Sequence, residues 1–309
     1  GAGGLPRRGP EPQGSGNPRI PGGEHRMIID HDLRLVLLHV PKCAGTALRR
    51  AFMEDNRRDV VSLFDFQFST VLQRQVDLAH MPLMDLRHFQ EWKFLGRYRV
   101  IACIRHPYQR LASACREFLR QQNRNSQIQM ISSPPTKDQM LAYLRRLPMA
   151  MDAHDLRWVH GFPIHWFTHY GKQPKVDHLI RCEHMQSDLD MLAQTLDLPT
   201  SLRQPLRKVA QVESHQEAIS LKGLSGDPNL QSLANILHRQ DFRCFNYKRN
   251  QTSFDDPELK DLMERCLKVG PSHELPLTNL TPQMRWYWGR SSTKSDQLLR
   301  PTRNRKIRS

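Results

Sequence analysis

Apolar residues follow one another almost without interruption from Leu35 to Val40, the pattern of a strand covered on both faces, as in a parallel sheet. Beyond it Leu48, Ala51 and Phe52 fall at helical spacing, so the chain reads as strand, loop and helix, with Lys42 ahead of the helix. A weaker strand spans Asp59 to Phe64, a helix-like stretch follows, and the short run Val76-Asp77-Leu78-Ala79 ends on His80. Arg99 to Ile104 is a second, clearer strand. It is broken by Arg105-His106-Pro107, where proline suits a first helical turn because its missing N–H would be unpaired there. Leu111, Ala114, Cys115 and Phe118 then mark the core face of an amphipathic helix. Residues 123–136, polar and containing Pro134-Pro135, read as a surface loop. Val176 to Cys182 is a further strand, Ser187 to Leu196 a helix, and a last helix ends near Gln240-Asp241-Phe242. This alternation predicts one α/β domain over residues 27–247, a P-loop-like parallel sheet flanked by helices on both faces.

Outside that span the pattern fades. Half of residues 1–26 are Gly or Pro, the composition of a disordered leader. Residues 248–285 read as a C-terminal helical extension and residues 286–309 as a basic tail, in which Arg300, Arg303, Arg305, Lys306 and Arg308 crowd together. These ends fit the low hydrophobic content, 38 %, and the mean hydropathy of −0.64. A formal net charge of +15 draws polyanions to the surface: phosphates, sulfated or uronic sugars, nucleic acid and acidic membrane.

The six cysteines are widely spaced with no CxxC pair, which points to reduced thiols and a cytoplasmic setting. Asn250-Gln251-Thr252 and Asn279-Leu280-Thr281 match the glycosylation acceptor pattern, and a Golgi lumen location is the alternative if an N-terminal anchor has been removed. No apolar run reaches the roughly 18 residues that a membrane span needs.

The loop Pro41-Lys42-Cys43-Ala44-Gly45-Thr46 joins a buried strand to a helix, so its N–H groups and the helix dipole converge on whatever lies above them. Gly45 permits close approach, Thr46 supplies a hydroxyl and Lys42 a mobile ammonium. The loop departs from GxxxxGK[ST], which disfavours ordinary nucleotide triphosphate hydrolysis. Arg105 ends a strand and Ser113 follows eight residues later off the apolar face of the helix, a forked cation and a hydroxyl suited to a second phosphate.

HVPKCAGTAL followed by IRHPYQRLASACREF resembles the sulfotransferase family, in particular its carbohydrate branch with soluble bacterial members. MIIDHDLRLVLLHVPKCAGTAL, VDHLIRCEHM and DFRCFNY extend the resemblance over about Met27 to Tyr247. It implies that Lys42, Cys43, Ala44, Gly45, Thr46 and Ala47 hold the 5′-phosphosulfate of 3′-phosphoadenosine 5′-phosphosulfate (PAPS, leaving PAP as product), with Arg105 and Ser113 on its 3′-phosphate. By the same resemblance His80 is the base and Lys42 the cation on the leaving group, and no metal is required. The acceptor is a hydroxyl on a carbohydrate, possibly an acidic one; no specific nucleic-acid partner and no particular oligomeric state follow. Two departures stand out: Cys43 replaces the usual Thr, and His106 replaces a common Asp, which should make the 3′-phosphate site more basic.

His160, His165 and His169 cluster without metal-ligand spacing and read as core or acceptor-facing. Trp158, Trp166 and Phe167 read as core rather than a sugar platform, and Glu183 stays outside the site. The competing functions are a P-loop-type phosphoryl-transfer enzyme, which would need a magnesium carboxylate site, and a non-enzymatic polyanion-binding protein, which leaves Arg105 and Ser113 unexplained.

Overall fold

A computed structural model describes residues 27–54, 59–63, 66–125, 134–220, 224, 226–252 and 257. The expected leader, the basic tail and nearly all of the C-terminal extension lie outside the described residues. The chain opens with strands β1 (Met27–Asp30) and β2 (Leu35–Leu38), then helix α1 (Gly45–Met53). Strands β3 (Val60–Leu63), β4 (Phe66–Ser69) and β5 (Arg74–Asp77) follow, then a one-turn helix, α2 (Leu83–Leu86). Next come β6 (Arg99–Ile104) and the helices α3 (Pro107–Asn125), α4 (Lys137–Asp152) and α5 (His165–Thr168). The short strands β7 (His169–Tyr170) and β8 (Gln173–Pro174) lead to β9 (His178–Arg181). Helices α6 (Met185–Thr195), α7 (Thr200–Ser220), α8 (Pro228–Leu237) and α9 (Arg239–Cys244) complete the domain.

The central sheet has the order β3-β1-β2-β6-β9. β2, β6 and β9 are parallel neighbours, as the continuous apolar runs predict, and all four residues of β2 are buried. The sheet is nevertheless mixed rather than parallel: β1 runs antiparallel to both β2 and β3. The physical reason is local. Asp30 Oδ1 accepts the Leu33 N–H at 2.9 Å and Arg34 turns back at φ 49°, which makes a hairpin of β1 and β2.

Three further expectations are corrected. The stretch before Val76 is an antiparallel hairpin of β4 and β5, not a helix, and His80 lies in the turn after that hairpin. Helix α3 continues to Asn125, three residues into the expected loop. Helix α4 was not anticipated although its start is written in the sequence: Thr136 and Gln139 form a reciprocal capping box, with bonds of 3.3 and 2.9 Å.

The core runs from both hydrophobic central strands into the flanking helices. Trp158, Trp166 and Phe167 are buried in it, Trp158 stacked on Tyr143 at 4.8 Å. Cys103 on β6 and Cys182 just after β9 bring their sulfurs within 3.6 Å as free thiols. Among the described residues no helix is long and apolar enough to cross a membrane.

Candidate active site

Because β2, β6 and β9 are parallel, the segments that follow them emerge at one edge of the sheet: His39 to Thr46, Arg105 to Pro107, and Cys182 to Glu183. That edge is where open α/β sheets receive ligands.

The loop after β2 is strained in a specific way. Lys42 and Ala44 both adopt left-handed backbone angles, φ 65° and 55°, without being glycine, which costs on the order of 1–3 kcal/mol each and recurs at ligand clamps. Alternating left-handed residues of this kind turn N–H groups toward a common concavity. Ala44 then caps α1 with no side-chain bond, and the first turn holds no acidic residue, so the positive end of the helix is left to face an anion. Gly45 is required for space: a Cβ there would lie 2.0 Å from Cδ2 of His39, whose ring covers it. Cys43 is fully buried and its thiol donates back to the Pro41 carbonyl at 3.6 Å. Its side chain therefore faces the core, and a ligand meets only its backbone.

One face of α3 packs on this loop. Arg110 Nε donates to the Pro41 carbonyl at 2.9 Å, and Glu117 Oε2 lies 3.4 Å from Lys42 Nζ. Ser113 sits three residues after Arg110 and four before Glu117, hence on the same face and turned to the same loop. Arg110 is fully buried and its two terminal nitrogens have no hydrogen-bond partner among the described residues, so a guanidinium charge stands behind the loop. Arg105 donates to Gln109 Oε1 at 3.2 Å. Burial, then Cys182, push the Cys43 thiol up, while Arg110 and Arg105 pull against them, which places both cations in the field of the loop.

His106 follows Arg105 directly. Burial pushes its imidazole below the usual range, against hydrogen bonding to the Lys248 carbonyl and the charge of Glu183. Its ring lies among Tyr108, Phe242 and Tyr247. Glu183 accepts the His106 N–H and the Tyr247 hydroxyl, tying the chain's return segment to the turn that carries Arg105.

His80 is reached from the loop by two routes of contact. Its ring lies 4.6 Å from that of His39, which itself covers Gly45. On the other side it meets His160 edge-on at 4.9 Å, and the charge of His160 acts on Glu117, the partner of Lys42. Below the ring, Nδ1 lies 2.7 Å from Asp77 Oδ2, while Asp77 Oδ1 accepts the Ala79 N–H and the Asp77 carbonyl accepts the His80 N–H. With Nδ1–H given to Asp77, Nε2 is the basic nitrogen. The turn is pinned from both sides by the buried pair of Arg74 on β5 and Asp85 on α2, 2.6 Å apart.

Asp77, His39 and Glu117 are the residues around the site that the sequence reading did not single out. The D-x-x-H spacing was a readable signal for Asp77, and His39 directly precedes the loop; nothing local marks Glu117. The other histidines separate cleanly. His165 and His238 both bond the fully buried Asp241, at 2.8 and 2.7 Å, in a structural knot that joins α5 to α9. His169 bonds Thr168 and packs on Phe245. Among the described residues no group of His, Cys, Asp and Glu could hold a metal ion.

A family model described as the sulfotransferase family matches residues 25–248, well over half of the chain. No curated protein and no solved structure shows significant similarity to it.

Proposed function

Because the chain belongs to the sulfotransferase family, we propose that it moves the sulfuryl group of 3′-phosphoadenosine 5′-phosphosulfate to a carbohydrate hydroxyl. The observation that carries this reading is the packing of α3 on the loop: Arg110 and Glu117 each touch it, with Ser113 between them on the helix. This packing supports two neighbouring anion sites, as one ligand phosphorylated at both ends of its ribose requires. The left-handed loop and uncapped helix end fit such a ligand.

When bound, the phosphosulfate supplies an electrophilic sulfur with a phosphate leaving group. The backbone of Lys42, Cys43, Ala44, Gly45, Thr46 and Ala47 holds its 5′ end, with the Thr46 hydroxyl beside them. Arg105 and Ser113 hold the 3′-phosphate. The Lys42 ammonium stabilises charge on the bridging oxygen, and Nε2 of His80 accepts the acceptor's proton. Asp77 keeps the proton on Nδ1 and steadies the imidazolium that forms, as carboxylates do in catalytic triads. The side chain of His80 is only 4 % exposed, so an acceptor must shift the side chains over it to enter. The excess positive charge of the chain favours an acidic glycan.

Incubation of the chain with radiolabelled donor and a panel of sugars, phenols and peptides tests the proposal. Label should pass to a carbohydrate. Transfer only to phenols or peptides would overturn the acceptor class, and no transfer to any of them would overturn the reaction.

A further inference from the structure

The Lys42 ammonium is already engaged before any ligand arrives: its Nζ lies 3.4 Å from Glu117 Oε2, a carboxylate with only 13 % of its side chain exposed. Glu117 lies one turn beyond Ser113 on the loop-facing side of α3, so a negative charge stands at the edge of what is otherwise an anion cradle. A buried acid in such a place works against the ligand unless it has a task there.

Its other partners show what the task is. Arg120 donates to Glu117 through Nε at 3.1 Å and also through a terminal nitrogen, and Gln121 Nε2 donates at 3.0 Å. Both belong to the same helix and stay put when the loop changes partner. Lys42, by contrast, is a point charge on a flexible stem. If Lys42 departs, the carboxylate keeps its charge-assisted bonds to Arg120 and is not left bare.

Resting on the phosphosulfate reading above, we propose that Glu117 is a positioning residue that competes with the 5′ end of the nucleotide for Lys42. Binding of that end exchanges one anionic partner of the lysine for another, while Arg120 and Gln121 retain the carboxylate. Glu117 thereby lowers affinity for the 5′ group specifically and parks Lys42 in the ligand-free protein. Burial pushes the Glu117 carboxyl up, but Lys42, Arg120 and His160 together hold it well below the usual carboxylate range, so the competitor is charged at every pH at which the protein works.

The test compares two probes, adenosine 3′,5′-bisphosphate and adenosine 3′-monophosphate, titrated by calorimetry into the full chain and into Glu117→Gln. A merely structural role would move both affinities together. Competition predicts that Glu117→Gln binds the bisphosphate roughly 3- to 10-fold more tightly, the worth of a partly exposed ion pair, and leaves the 3′-monophosphate unchanged. Glu117→Asp, which withdraws the charge by one methylene, should show the same selectivity in smaller measure and serves if the Gln variant melts below the titration temperature. Equal gains for both probes, or a bisphosphate affinity equal to or weaker than wild type, would overturn the inference while leaving the phosphosulfate reading intact. Failure of the wild-type chain to bind the bisphosphate would overturn that reading first, and the inference with it.

Discussion

Nδ1 of His80 lies 2.7 Å from Oδ2 of Asp77, three residues upstream, and the second oxygen of that carboxylate fixes the backbone of the same turn at Ala79. One buried acid thus sets both the position of the ring and which nitrogen carries the proton. Asp77→Asn removes the charge with little change of shape. Transfer should fall by about 10²- to 10⁴-fold, as when a base loses its tautomer, with bisphosphate affinity unchanged. His80→Ala should behave alike. Full activity in either variant, measured under saturating donor, contradicts the assignment.

Gly45 is constrained by its neighbour rather than by its own backbone. In Gly45→Ala the new methyl would fall 2.0 Å from the His39 ring. Overpacking of this kind costs typically about 1–3 kcal/mol, so thermal melting should drop and bisphosphate affinity with it. Adding His39→Ala removes the obstacle, and the double variant should melt closer to wild type than the sum of the single effects; simple additivity would show that the ring is not the cause.

The Arg74–Asp85 pair spans the turn that holds His80, and both side chains are nearly inaccessible. Burial pushes the Asp85 carboxyl up while Arg74 pulls it down, the mark of an acid dependent on its partner. Arg74→Ala strands that carboxylate and should cost about 3–5 kcal/mol in denaturant unfolding, whereas Arg74→Met with Asp85→Leu should recover much of the loss. Equal destabilisation by both changes would argue that the pair acts through shape alone.

His154 carries a pH dependence of definite sign. It is buried against Trp166, with which it stacks at 5.5 Å. Burial, helped by Arg74, pushes its imidazole down to about 3 from 6.5. The unfolded chain therefore binds the proton more readily than the folded one. The neutral ring contributes full stability above pH 6.5, and that contribution falls as pH drops toward 3, by about 1.4 kcal/mol per pH unit. Unfolding free energies of wild type and His154→Gln between pH 7 and 4.5 should diverge most at neutral pH and converge on acidification. Parallel curves would contradict this.

Much of this architecture was legible because burial on two faces leaves a plain signature. Leu35 to Val40 and Arg99 to Ile104 could hardly be anything but central strands, and the breaks that follow them at Pro41 and Arg105 announced the two strand ends that carry the candidate site. What local sequence hid was direction and partnership. An apolar run such as Met27–Asp30 pairs equally well either way, and the Asp30 turn decided for a hairpin. The site residues that escaped notice are those whose meaning is tertiary. Glu117 looks like a solvated helix charge until α3 is laid on the loop. His106 shows the converse: its place in the motif suggests an open ligand-facing ring, and its packing among three aromatic rings is visible only in the fold.

The central claim is that the loop from Pro41 to Thr46 and the pair Arg105 and Ser113 are two phosphate sites for one nucleotide. Calorimetric titration of the chain with adenosine 3′,5′-bisphosphate, alongside Lys42→Ala and Arg105→Ala, tests it most directly. The account predicts one saturable site in the wild type and weaker binding in both variants, with Arg105→Ala losing the advantage of the bisphosphate over adenosine 5′-monophosphate. Absence of bisphosphate binding, or binding that both variants leave untouched while ATP with Mg²⁺ binds well, would contradict it.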